Sequence, residues 1–337
     1  MDRYQRQVAL IGEQGQEKIQ NAKVMIIGLG GIGCPAAQYL VASGVGRIAL
    51  VDNDRVAYSN LHRQILFTQD DVGFNKAEIA KKVLSKVNPE IIIDAYPTMF
   101  DLSFGDSAIT DFDLIIDGTD NYVTRYLVND LCVLKKKVFI SCSILKNIVQ
   151  IILFDTKQIC YRCVYPSPPP AGTILNCSEA GILGTVTGIA GTMTANLALN
   201  HFLDVEKERQ AQMKVFDARD FSMSSLIIKQ NEECISCKHK KMDVESLRRL
   251  ESDGIEIWEL DRSKHFLVDI RQREEREVKK LDDDMFFPIQ ENSKYDFFLS
   301  YKDKKVVLYC STGYRSRSFA AELRKIGVEA YYLKASL

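Results

Sequence analysis

The sequence lacks the features that mark nucleic-acid-binding, secreted and membrane-spanning proteins. Its 45 acidic and 44 basic side chains leave a net charge of −1, so no excess charge attracts nucleic acid or a membrane surface. The first ten residues, MDRYQRQVAL, contain no apolar signal-peptide core. An uncharged run at 180–203 is long enough to cross a bilayer, but its threonines, asparagines and regularly spaced glycines predict a buried small-residue helix.

A disulfide framework is also missing. The chain has nine cysteines, of which four form two CxxC pairs, and this usage is typical of metal and thiol chemistry in a reducing compartment. We therefore expect a cytoplasmic protein. No internal repeat or low-complexity segment is present, and 337 residues with 46% apolar content supply enough material for two domains.

What the sequence does contain is organised around residues 24–54. An apolar run at 24–27 predicts a buried parallel strand, and a second run at 48–51 ends in Asp52, at the distance where an acid binds a ribose hydroxyl. Glycines between the two runs allow a tight turn and close approach of backbone amides to a phosphate. They are Gly28, Gly30, Gly31 and Gly33. The segment predicts a nucleotide-binding site.

The rest of the first part alternates strands with helices. Apolar runs at 91–95, 114–117 and 138–141 predict strands, and the periodicity at 75–87 and 122–134 predicts helices. We predict an α/β fold with a doubly wound, Rossmann-like sheet that ends in antiparallel strands. The antiparallel strands are expected at 148–154, 215–216 and 225–229.

Polar side chains cluster near the carboxyl ends of the predicted strands, where open α/β sheets bind ligands. They are Asp52, Asp54, Asn60, Arg63, Gln64, Lys76, Asp120 and Asn121. Arg63 and Lys76 can neutralise phosphate oxygens and Asp120 can bind Mg²⁺, so the set predicts a triphosphate site. The alternative is that Arg63 and Lys76 are solvated surface charges.

Two cysteine pairs flank the antiparallel strands. Their four thiolates are the complement of a closed tetrahedral zinc site, which would have a structural role because no coordination position is open to water. The pairs are Cys160/Cys163 and Cys234/Cys237. A redox CxxC is the alternative, although neither pair opens a helix after a strand. Three further cysteines are expected in the core, namely Cys34, Cys132 and Cys142.

A second, smaller α/β pattern begins near residue 254. Cys310 ends an apolar strand at 306–309 and opens the loop CSTGYR, which leads into a helix at 316–326. Backbone amides of such a loop and the helix N-terminus favour a thiolate that can carry a second sulfur. The predicted organisation is a first domain, a linker and a second domain, at residues 1–240, 241–253 and 254–337.

Seven motifs occur in the order expected of the MoeB/ThiF family, the adenylyltransferases related to ubiquitin-activating enzymes. They are RYQRQ, GLGGIG, VDNDRVAYSNLHRQ, GFNKAE, DGTDN, CYRC and CISC, and they cover about residues 1–238. The chain resembles this family, with Gly118 standing where many members have cysteine. The resemblance implies adenylation of the C-terminal glycine of a ubiquitin-like sulfur-carrier protein that ends in Gly-Gly, with ATP, Mg²⁺ and Zn²⁺ as cofactors.

The resemblance also implies roles for single residues. Gly31 would line the phosphate loop, Asp52 would bind the ribose and Asp120 would bind Mg²⁺. Arg6 would reach the triphosphate of the other subunit, which implies a homodimer. The residues that would contact the phosphates are Asn60, Arg63 and Lys76.

Cys177 stands after a proline-rich loop and before the glycine-spaced helix. In isolation it would be a small buried hydrophobe. Its position resembles that of the family's thiol that attacks the acyl-adenylate or forms a persulfide link to the carrier, and a helix N-terminus favours a reactive thiolate. Related enzymes differ in whether they require this thiol.

The second part resembles rhodanese (sulfurtransferase) domains in FLVDIRQREE and in CSTGYR, over about residues 250–337. Four residues separate Cys310 from Arg315, the cationic residue expected at the sulfur site, where related phosphatases have five. The shorter loop suits a persulfide better than a phosphate. The chain stops soon after a strand, whereas rhodanese domains usually continue through another helix, so the domain is either minimal or less active.

Together these features predict a homodimeric enzyme that adenylates a sulfur carrier and converts its terminus to a thiocarboxylate with sulfur from a Cys310 persulfide. A cysteine desulfurase or a small thiosulfate-like donor can load Cys310, and the sequence leaves both open. One rival is a nicotinamide-dependent dehydrogenase with an appended sulfur domain, which only GLGGIG and Asp52 support. A second rival is a non-catalytic module that binds a ubiquitin-like partner.

Overall fold

The computed structural model describes residues 3–167, 181–205, 211–240, 254–255, 259–278, 281, 284–289, 296–301, 304–310 and 314–333. These residues form two compact units, one within 3–240 and one within 254–333. Three sequence features lie outside the described residues, namely Cys177, the predicted linker at 241–253 and positions 311–313 of the CSTGYR loop.

An eight-stranded sheet is the centre of the first unit. Its strands are β1 (Lys23–Ile27), β2 (Arg47–Val51), β3 (Ile92–Tyr96), β4 (Leu114–Asp117), β5 (Val138–Leu145), β6 (Ile148–Phe154), β7 (Gln212–Asp217) and β8 (Ser222–Ile227). The spatial order is β3-β2-β1-β4-β5-β6-β7-β8, with parallel pairing from β3 to β5 and antiparallel pairing from β5 to β8. The predicted Rossmann-like sheet with late antiparallel strands is confirmed.

Four of the described helices of the first unit follow parallel strands, as the alternating pattern predicts, whereas the first precedes β1 and the last two follow β6. The helices are α1 (Gln5–Asn21), α2 (Gly33–Ser43), α3 (Lys76–Val87), α4 (Leu102–Ala108), α5 (Tyr122–Lys135), α6 (Tyr161–Val164) and α7 (Gly184–Phe202). Val24 and Ile26 of β1 pack in one cluster with Leu40 of α2 and Ala190 of α7, whereas Met25 faces the other side and is equally buried. Both sheet faces are therefore covered, which explains why the strands are continuously apolar.

The glycine-spaced segment forms α7, a helix packed within the unit. A Cβ added at Gly191 would lie 2.3 Å from Pro35 Cγ and 2.4 Å from the Ile32 carbonyl oxygen, so the small residue lets α7 approach α2 closely. In the part of the chain that the structure describes, no helix is long and apolar enough to cross a membrane. The three cysteines expected in the core, Cys34, Cys132 and Cys142, are fully buried.

Several features of the first unit differ from the sequence prediction. Neither CxxC pair was expected to open a helix, but Cys160 directly precedes the short helix α6. Strands β7 and β8 begin three residues before the predicted starts at 215 and 225. Helix α4 was not predicted, although the Asp101 carboxylate caps it by accepting a hydrogen bond from Phe104 N at 2.8 Å. Strand β5 runs four residues beyond the predicted end at 141, because it continues into a hairpin with β6. The end of a short apolar run does not predict the end of a strand where a tight turn lets strand pairing continue.

The second unit contains a parallel sheet of order β11-β10-β12-β13-β9. Its strands are β9 (Gly254–Ile255), β10 (His265–Asp269), β11 (Met285–Phe286), β12 (Lys305–Tyr309) and β13 (Ala330–Leu333), and its helices are α8 (Arg273–Val278), α9 (Asp296–Leu299) and α10 (Tyr314–Lys325). The strand predicted at 306–309 corresponds to β12, and the helix predicted at 316–326 corresponds to α10, which begins two residues earlier. The two-residue strands β9 and β11 and the short helices α8 and α9 carry too little periodicity to be recognised.

A buried ion pair fixes the end of β4. Arg125 of α5 donates from Nε to Asp117 Oδ2 at 2.8 Å, and the two side chains are 8% and 0% exposed. The other carboxylate oxygen of Asp117 accepts hydrogen bonds from Thr119 N at 3.1 Å and Thr119 Oγ1 at 2.6 Å. Arg125 also donates to the Thr119 carbonyl oxygen at 2.7 Å. The pair therefore holds the loop that follows β4.

Replacing Arg125 by leucine is expected to lower the free energy of unfolding by about 3 to 5 kcal/mol, because the Asp117 carboxylate would stay buried without its cation. Urea denaturation of the full chain measures the change. Lys135→Ala on the same helix is the matched control, since its pair with Asp106 is exposed and should contribute about 1 kcal/mol or less. Equal effects of the two substitutions would contradict this assignment.

Candidate functional site

The glycine-rich turn links β1 to α2 and has steric reasons for its glycines. Gly28 has φ +89°, and a Cβ at Gly33 would lie 1.9 Å from the Gly28 carbonyl oxygen. A Cβ at Gly31 would lie 2.8 Å from Thr187 Cβ. At Gly30 it would have no neighbour among the described residues closer than 4.0 Å, so packing does not demand glycine there. Gly30 leaves backbone accessible at the start of a helix, where anions bind.

Asp52 follows β2, and its side chain contacts the glycine-rich turn. Its Oδ2 accepts a hydrogen bond from Leu29 N at 2.7 Å and its Oδ1 accepts one from Asp54 N at 2.8 Å. Burial raises the pKa of Asp52, and the positive charge of Lys76 partly offsets that rise. The carboxylate is thus fixed beside the glycine turn, with a second lone pair left on each oxygen for a ligand.

Lys76 is a buried cation at the start of α3. It is 5% exposed, and its Nζ lies 3.0 Å from Oδ2 of Asp54, whose side chain is 62% exposed. Burial lowers the pKa of Lys76, but the charges of Asp52 and Asp54 outweigh this effect and the net pKa is raised. Lys76 therefore stays protonated. The alternative that it is a solvated surface charge is wrong.

Asn75 explains how Lys76 reaches this position. Its side-chain oxygen caps α3 by accepting hydrogen bonds from Ala77 N at 2.8 Å and Glu78 N at 3.2 Å. Its Nδ2 donates to the carbonyl oxygens of Asp52 at 3.1 Å and Asp54 at 3.2 Å. One amide thus joins the helix start to the segment after β2, and sequence analysis did not identify it although an asparagine before a helix is a recognisable cap.

Three predicted phosphate ligands lie on the irregular segment after β2. Asn60 Oδ1 accepts a hydrogen bond from Ala57 N at 3.3 Å, which stabilises a short 3₁₀ turn. Arg63 is half-buried, donates to the Ser59 carbonyl oxygen at 3.0 Å and lies 2.8 Å from a ring nitrogen of His62. Gln64 is 3% exposed, and within the described ranges its Oε1 has no hydrogen-bond partner.

The N-terminus of α7 brings this segment to the glycine turn. A Cβ at Gly184 would lie 2.2 Å from the His62 carbonyl oxygen, so the helix start is in close contact with the loop. Thr187, one turn further, packs against Gly31 and places its Oγ1 3.5 Å from the Arg63 carbonyl oxygen. The structure therefore joins Gly31 and Arg63 through α7, a contact that only the tertiary fold reveals.

The acidic loop after β4 lies next to the same turn. The Gly118 backbone is 3.1 Å from the position of a Cβ at Gly28. Asp120 is exposed at the loop tip, whereas Asn121 is buried and caps α5 by accepting a hydrogen bond from Thr124 N at 2.7 Å. Because β1 pairs with both β2 and β4, these loops meet where the strand order reverses, the usual ligand crevice of open α/β sheets.

Arg6 is not part of this cluster within one chain. It is exposed near the start of α1, and its neighbour Gln7 donates to the Ser43 carbonyl oxygen at 2.9 Å. Ser43 ends α2, whereas the glycine turn begins that helix about 16 Å away. Within one chain, Arg6 therefore lies near the end of α2 that is opposite to the glycine turn.

The four cysteines of the CxxC pairs converge. All four Sγ atoms lie within 4.8 Å of one another, with Cys160 and Cys234 3.5 Å apart and Cys163 and Cys237 3.4 Å apart. These separations exceed a disulfide bond of about 2.0 Å. Zn–S bonds of about 2.3 Å place the sulfurs of a tetrahedral site about 3.8 Å apart, so the donor set fits Zn²⁺.

In the second unit, Cys310 follows β12 and is fully buried, with Sγ 3.5 Å from Ser316 Oγ of α10. Arg315 forms an ion pair with Glu275, including a 2.8 Å hydrogen bond from one guanidinium nitrogen to Oε2. Sequence analysis did not identify this partner, because 40 residues separate Glu275 from Arg315. The cation is thus already paired with a carboxylate beside the start of α10.

A charged cluster fixes the strand end that precedes Cys310. Asp269 is fully buried and accepts hydrogen bonds from Arg271 Nε at 3.0 Å, Arg276 at 2.9 Å and the Tyr309 hydroxyl at 3.0 Å. Asp269 ends β10 and Tyr309 ends β12, and the two residues are directly paired in the sheet. The register of β12, and with it the position of Cys310, is therefore held by a carboxylate.

Comparison with known proteins decides the family. Residues 4–237 match the ThiF family and residues 256–337 match the rhodanese-like domain. The chain belongs to the ThiF family.

Relatives and solved structures agree with this membership. A sulfur carrier protein adenylyltransferase from Thermus thermophilus is 39% identical over 245 residues, covering 70% of this chain and 90% of that protein. An adenylyltransferase and sulfurtransferase MOCS3 from Drosophila persimilis is 34% identical and covers 96% of this chain and 78% of that one. The crystal structure of E. coli MccB with ATP has a TM-score of 0.61 at 25% identity, covering 70% of this chain and 74% of that chain.

The ThiF match confirms the resemblance drawn from the seven motifs. The second match confirms the resemblance of the C-terminal part to rhodanese domains. Relatives that combine both parts are named adenylyltransferases and sulfurtransferases, so the chain is an enzyme of this kind. The dehydrogenase and the non-catalytic module are not favoured.

Lys76→Met is expected to weaken ATP binding about 10- to 100-fold, because a buried cation beside the glycine turn is lost. The substitution also removes the charge that lowers the pKa of Asp52, so that pKa rises further. If ATP binding needs the ionised Asp52 carboxylate, then binding should be lost on acidification at a higher pH in Lys76→Met than in the unmodified chain. Titration of a fluorescent ATP analogue at several pH values measures both effects. Lys81→Met, an exposed position on α3, is the control, and an unchanged acid limb in Lys76→Met would contradict the coupling.

Proposed function

We propose that this enzyme uses ATP to adenylate the C-terminal glycine of a ubiquitin-like sulfur carrier and then replaces AMP with sulfur, giving a thiocarboxylate. The observation that carries the proposal is the buried Lys76 cation, held beside Asp52 and the glycine turn at the crevice where the strand order reverses. A nicotinamide site has no need of such a cation, whereas a triphosphate does.

The residue types suit adenylation. The carrier's terminal carboxylate is already ionised at neutral pH, so its attack on the α-phosphate needs no general base. The barrier comes from repulsion between anions and from charge that develops on pyrophosphate, and fixed cations lower it. Lys76 and Arg63 supply such charge, Gly31 lines the phosphate path and Asp52 takes the ribose. Asn60 and Gln64 offer hydrogen bonds, and the buried Oε1 of Gln64, which has no partner among the described residues, can accept one from a ligand.

The metals have separate parts in this proposal. Mg²⁺ held by the exposed Asp120 would add positive charge near the phosphates, and Asn121 would act mainly by starting α5 below it. Zn²⁺ held by the four cysteines would have a structural role, because four thiolates close the coordination sphere.

Sulfur transfer begins from a persulfide on Cys310. Its terminal sulfur attacks the acyl carbon of the carrier adenylate, and AMP leaves with the electron pair of the broken C–O bond. A thiolate of a thiol reductant attacks the Cys310 sulfur of the acyl disulfide that results, which releases the carrier thiocarboxylate and leaves a mixed disulfide on Cys310. A second reductant thiolate restores Cys310, and a cysteine desulfurase or a thiosulfate-like donor reloads it. Cys177 would assist by forming a transient acyl or disulfide link to the carrier.

The site residue Arg6 requires a homodimer. Arg6 is exposed and lies at the far end of α2 from its own glycine turn, so it can serve the triphosphate of the other subunit. Exposed apolar side chains near it and on the segment after β2 support a contact between copies; they are Leu10, Tyr58, Ile65 and Phe74.

The proposed domains are residues 1–240 for adenylation and 254–337 for sulfur transfer, with a linker at 241–253. The matched spans 4–237 and 256–337 support these limits. We place the enzyme in the cytoplasm because the described cysteines are free thiols, as a reducing compartment keeps them.

Exchange of labelled pyrophosphate into ATP tests adenylation directly. Exchange should depend on a carrier that ends in Gly-Gly, and Lys76→Met should reduce it about 100-fold or more because the cation acts on developing charge. Cys310→Ala should leave exchange unchanged and abolish thiocarboxylate, measured by mass spectrometry of the carrier. Loss of exchange in Cys310→Ala, or NADH turnover in place of exchange, would contradict the proposed division of labour.

Mixing two inactive variants tests the homodimer. A 1:1 mixture of Arg6→Ala and Lys76→Met chains, allowed to exchange subunits, should recover about a quarter of wild-type exchange activity, since half of the dimers contain one intact site. Each variant alone should be inactive. If Arg6 served its own chain, the mixture would show no recovery, and light scattering would report whether mixed dimers had formed.

A further inference from the structure

A carboxylate on α5 contacts both CxxC turns. Arg162, inside the first turn, donates from Nε to Asp130 Oδ1 at 2.8 Å and from Nη2 to Asp130 Oδ2 at 2.7 Å. Ser236, inside the second turn, donates from Oγ to Asp130 Oδ1 at 3.2 Å. The two turns are 74 residues apart in sequence. In each turn, the Asp130 side chain bonds to the residue directly before the second cysteine.

Asn129, the preceding residue, strengthens the same connection. Its Oδ1 accepts a hydrogen bond from the backbone N of Tyr161 at 2.8 Å, and its Nδ2 donates to Asp130 Oδ1 at 2.8 Å and lies 3.4 Å from Ser236 Oγ. Arg162 also stacks over the Tyr126 ring at 4.6 Å from the centroid. The first turn is therefore held from α5 through backbone, guanidinium and ring contacts.

Burial makes these bonds strong and costly to break. Asp130 is 4% exposed, and Asn129 and Ser236 are fully buried. In such surroundings a bidentate arginine–carboxylate pair has a fixed geometry, and removing one partner leaves an uncompensated charge. Before a metal is present, the cysteines join the two turns only through S···S contacts of 3.5 Å and 3.4 Å among the described residues. A thiol is a weak donor and a weak acceptor, so these contacts are weaker than the arginine–carboxylate pair.

We propose that Asp130 is a positioning residue that holds the two cysteine turns together, so that the four sulfurs converge before Zn²⁺ binds. Closing the long loop between the turns costs conformational entropy, and the Asp130 network offsets that cost in the metal-free chain. Zn²⁺ then meets a preformed set of ligands, which raises its affinity. The inference rests on the metal site proposed above.

The test is Zn²⁺ affinity of full-length protein, stripped of metal under reducing conditions and titrated against a chromophoric chelator. Asp130→Asn should bind Zn²⁺ about 10- to 100-fold more weakly, the range typical of residues that orient metal ligands. Ser236→Ala, which removes one hydroxyl and keeps the arginine pair, should cause a smaller loss in the same direction. Asp94→Asn, which breaks the half-buried pair with Arg47 elsewhere in the sheet, is the matched control and should leave affinity unchanged.

Melting temperatures with and without Zn²⁺ separate positioning from general stability. A residue that only stabilises the fold lowers both temperatures equally, whereas Asp130→Asn should reduce the gain in melting temperature that Zn²⁺ gives. If wild-type protein binds no Zn²⁺, the metal site itself fails. If it binds Zn²⁺ and both Asp130→Asn and Ser236→Ala bind equally tightly, the metal site stands and the role of Asp130 is overturned. If Asp130→Asn does not fold, unchanged Zn²⁺ affinity in Ser236→Ala is sufficient to reject the proposed role of Asp130.

Discussion

The buried pair between Asp117 and Arg125 is the interaction on which the first unit depends. It fixes α5 against the end of β4, and the residues of the acidic loop lie between the two partners in sequence. Five residues further along the same helix, Asp130 contacts both cysteine turns. A single helix therefore sets the position of the proposed magnesium ligand at one end and of the proposed zinc centre at the other. Such a pair is retained for geometry more than for stability, because desolvation consumes most of the Coulomb energy.

Charge placement at the glycine turn follows the same physical rule. Lys76 is buried, so its field is screened less than that of a surface lysine, and two aspartates keep it protonated. A bound triphosphate would then meet a cation that has already lost its water, and no reorganisation is needed when charge moves toward pyrophosphate. The absence of histidine from the catalytic motifs, apart from His62, agrees with a reaction that moves charge without a general base.

The sequence predicted the parts of this structure that local pattern determines. Continuous apolar runs predicted the parallel strands, the glycines predicted the turn at Gly28, and the CxxC spacing predicted four converging sulfurs. It did not predict Arg125, Asn129 or Asp130, because a polar or charged residue on a helix is ordinarily solvated and only its tertiary neighbours reveal otherwise. The partner of Arg315 was missed for the same reason. Arg6 marks a different limit, since its function in the proposal depends on a second chain.

Adenylation and sulfur transfer also need different surroundings. Adenylation needs positive charge held rigidly near an anionic ligand, and in the proposal Lys76 and Arg63, which both follow β2, supply it beside the glycine turn. Sulfur carriage needs a single thiol placed at the end of a strand, and the Asp269 cluster supplies that placement by fixing Tyr309 next to Cys310. In both units a fully buried carboxylate orders the backbone before a residue of the proposed site. Asp117 holds the loop before Asp120, and Asp269 holds Tyr309 next to Cys310. Removing either carboxylate should therefore harm function through geometry, even though neither touches the substrate in the mechanism proposed.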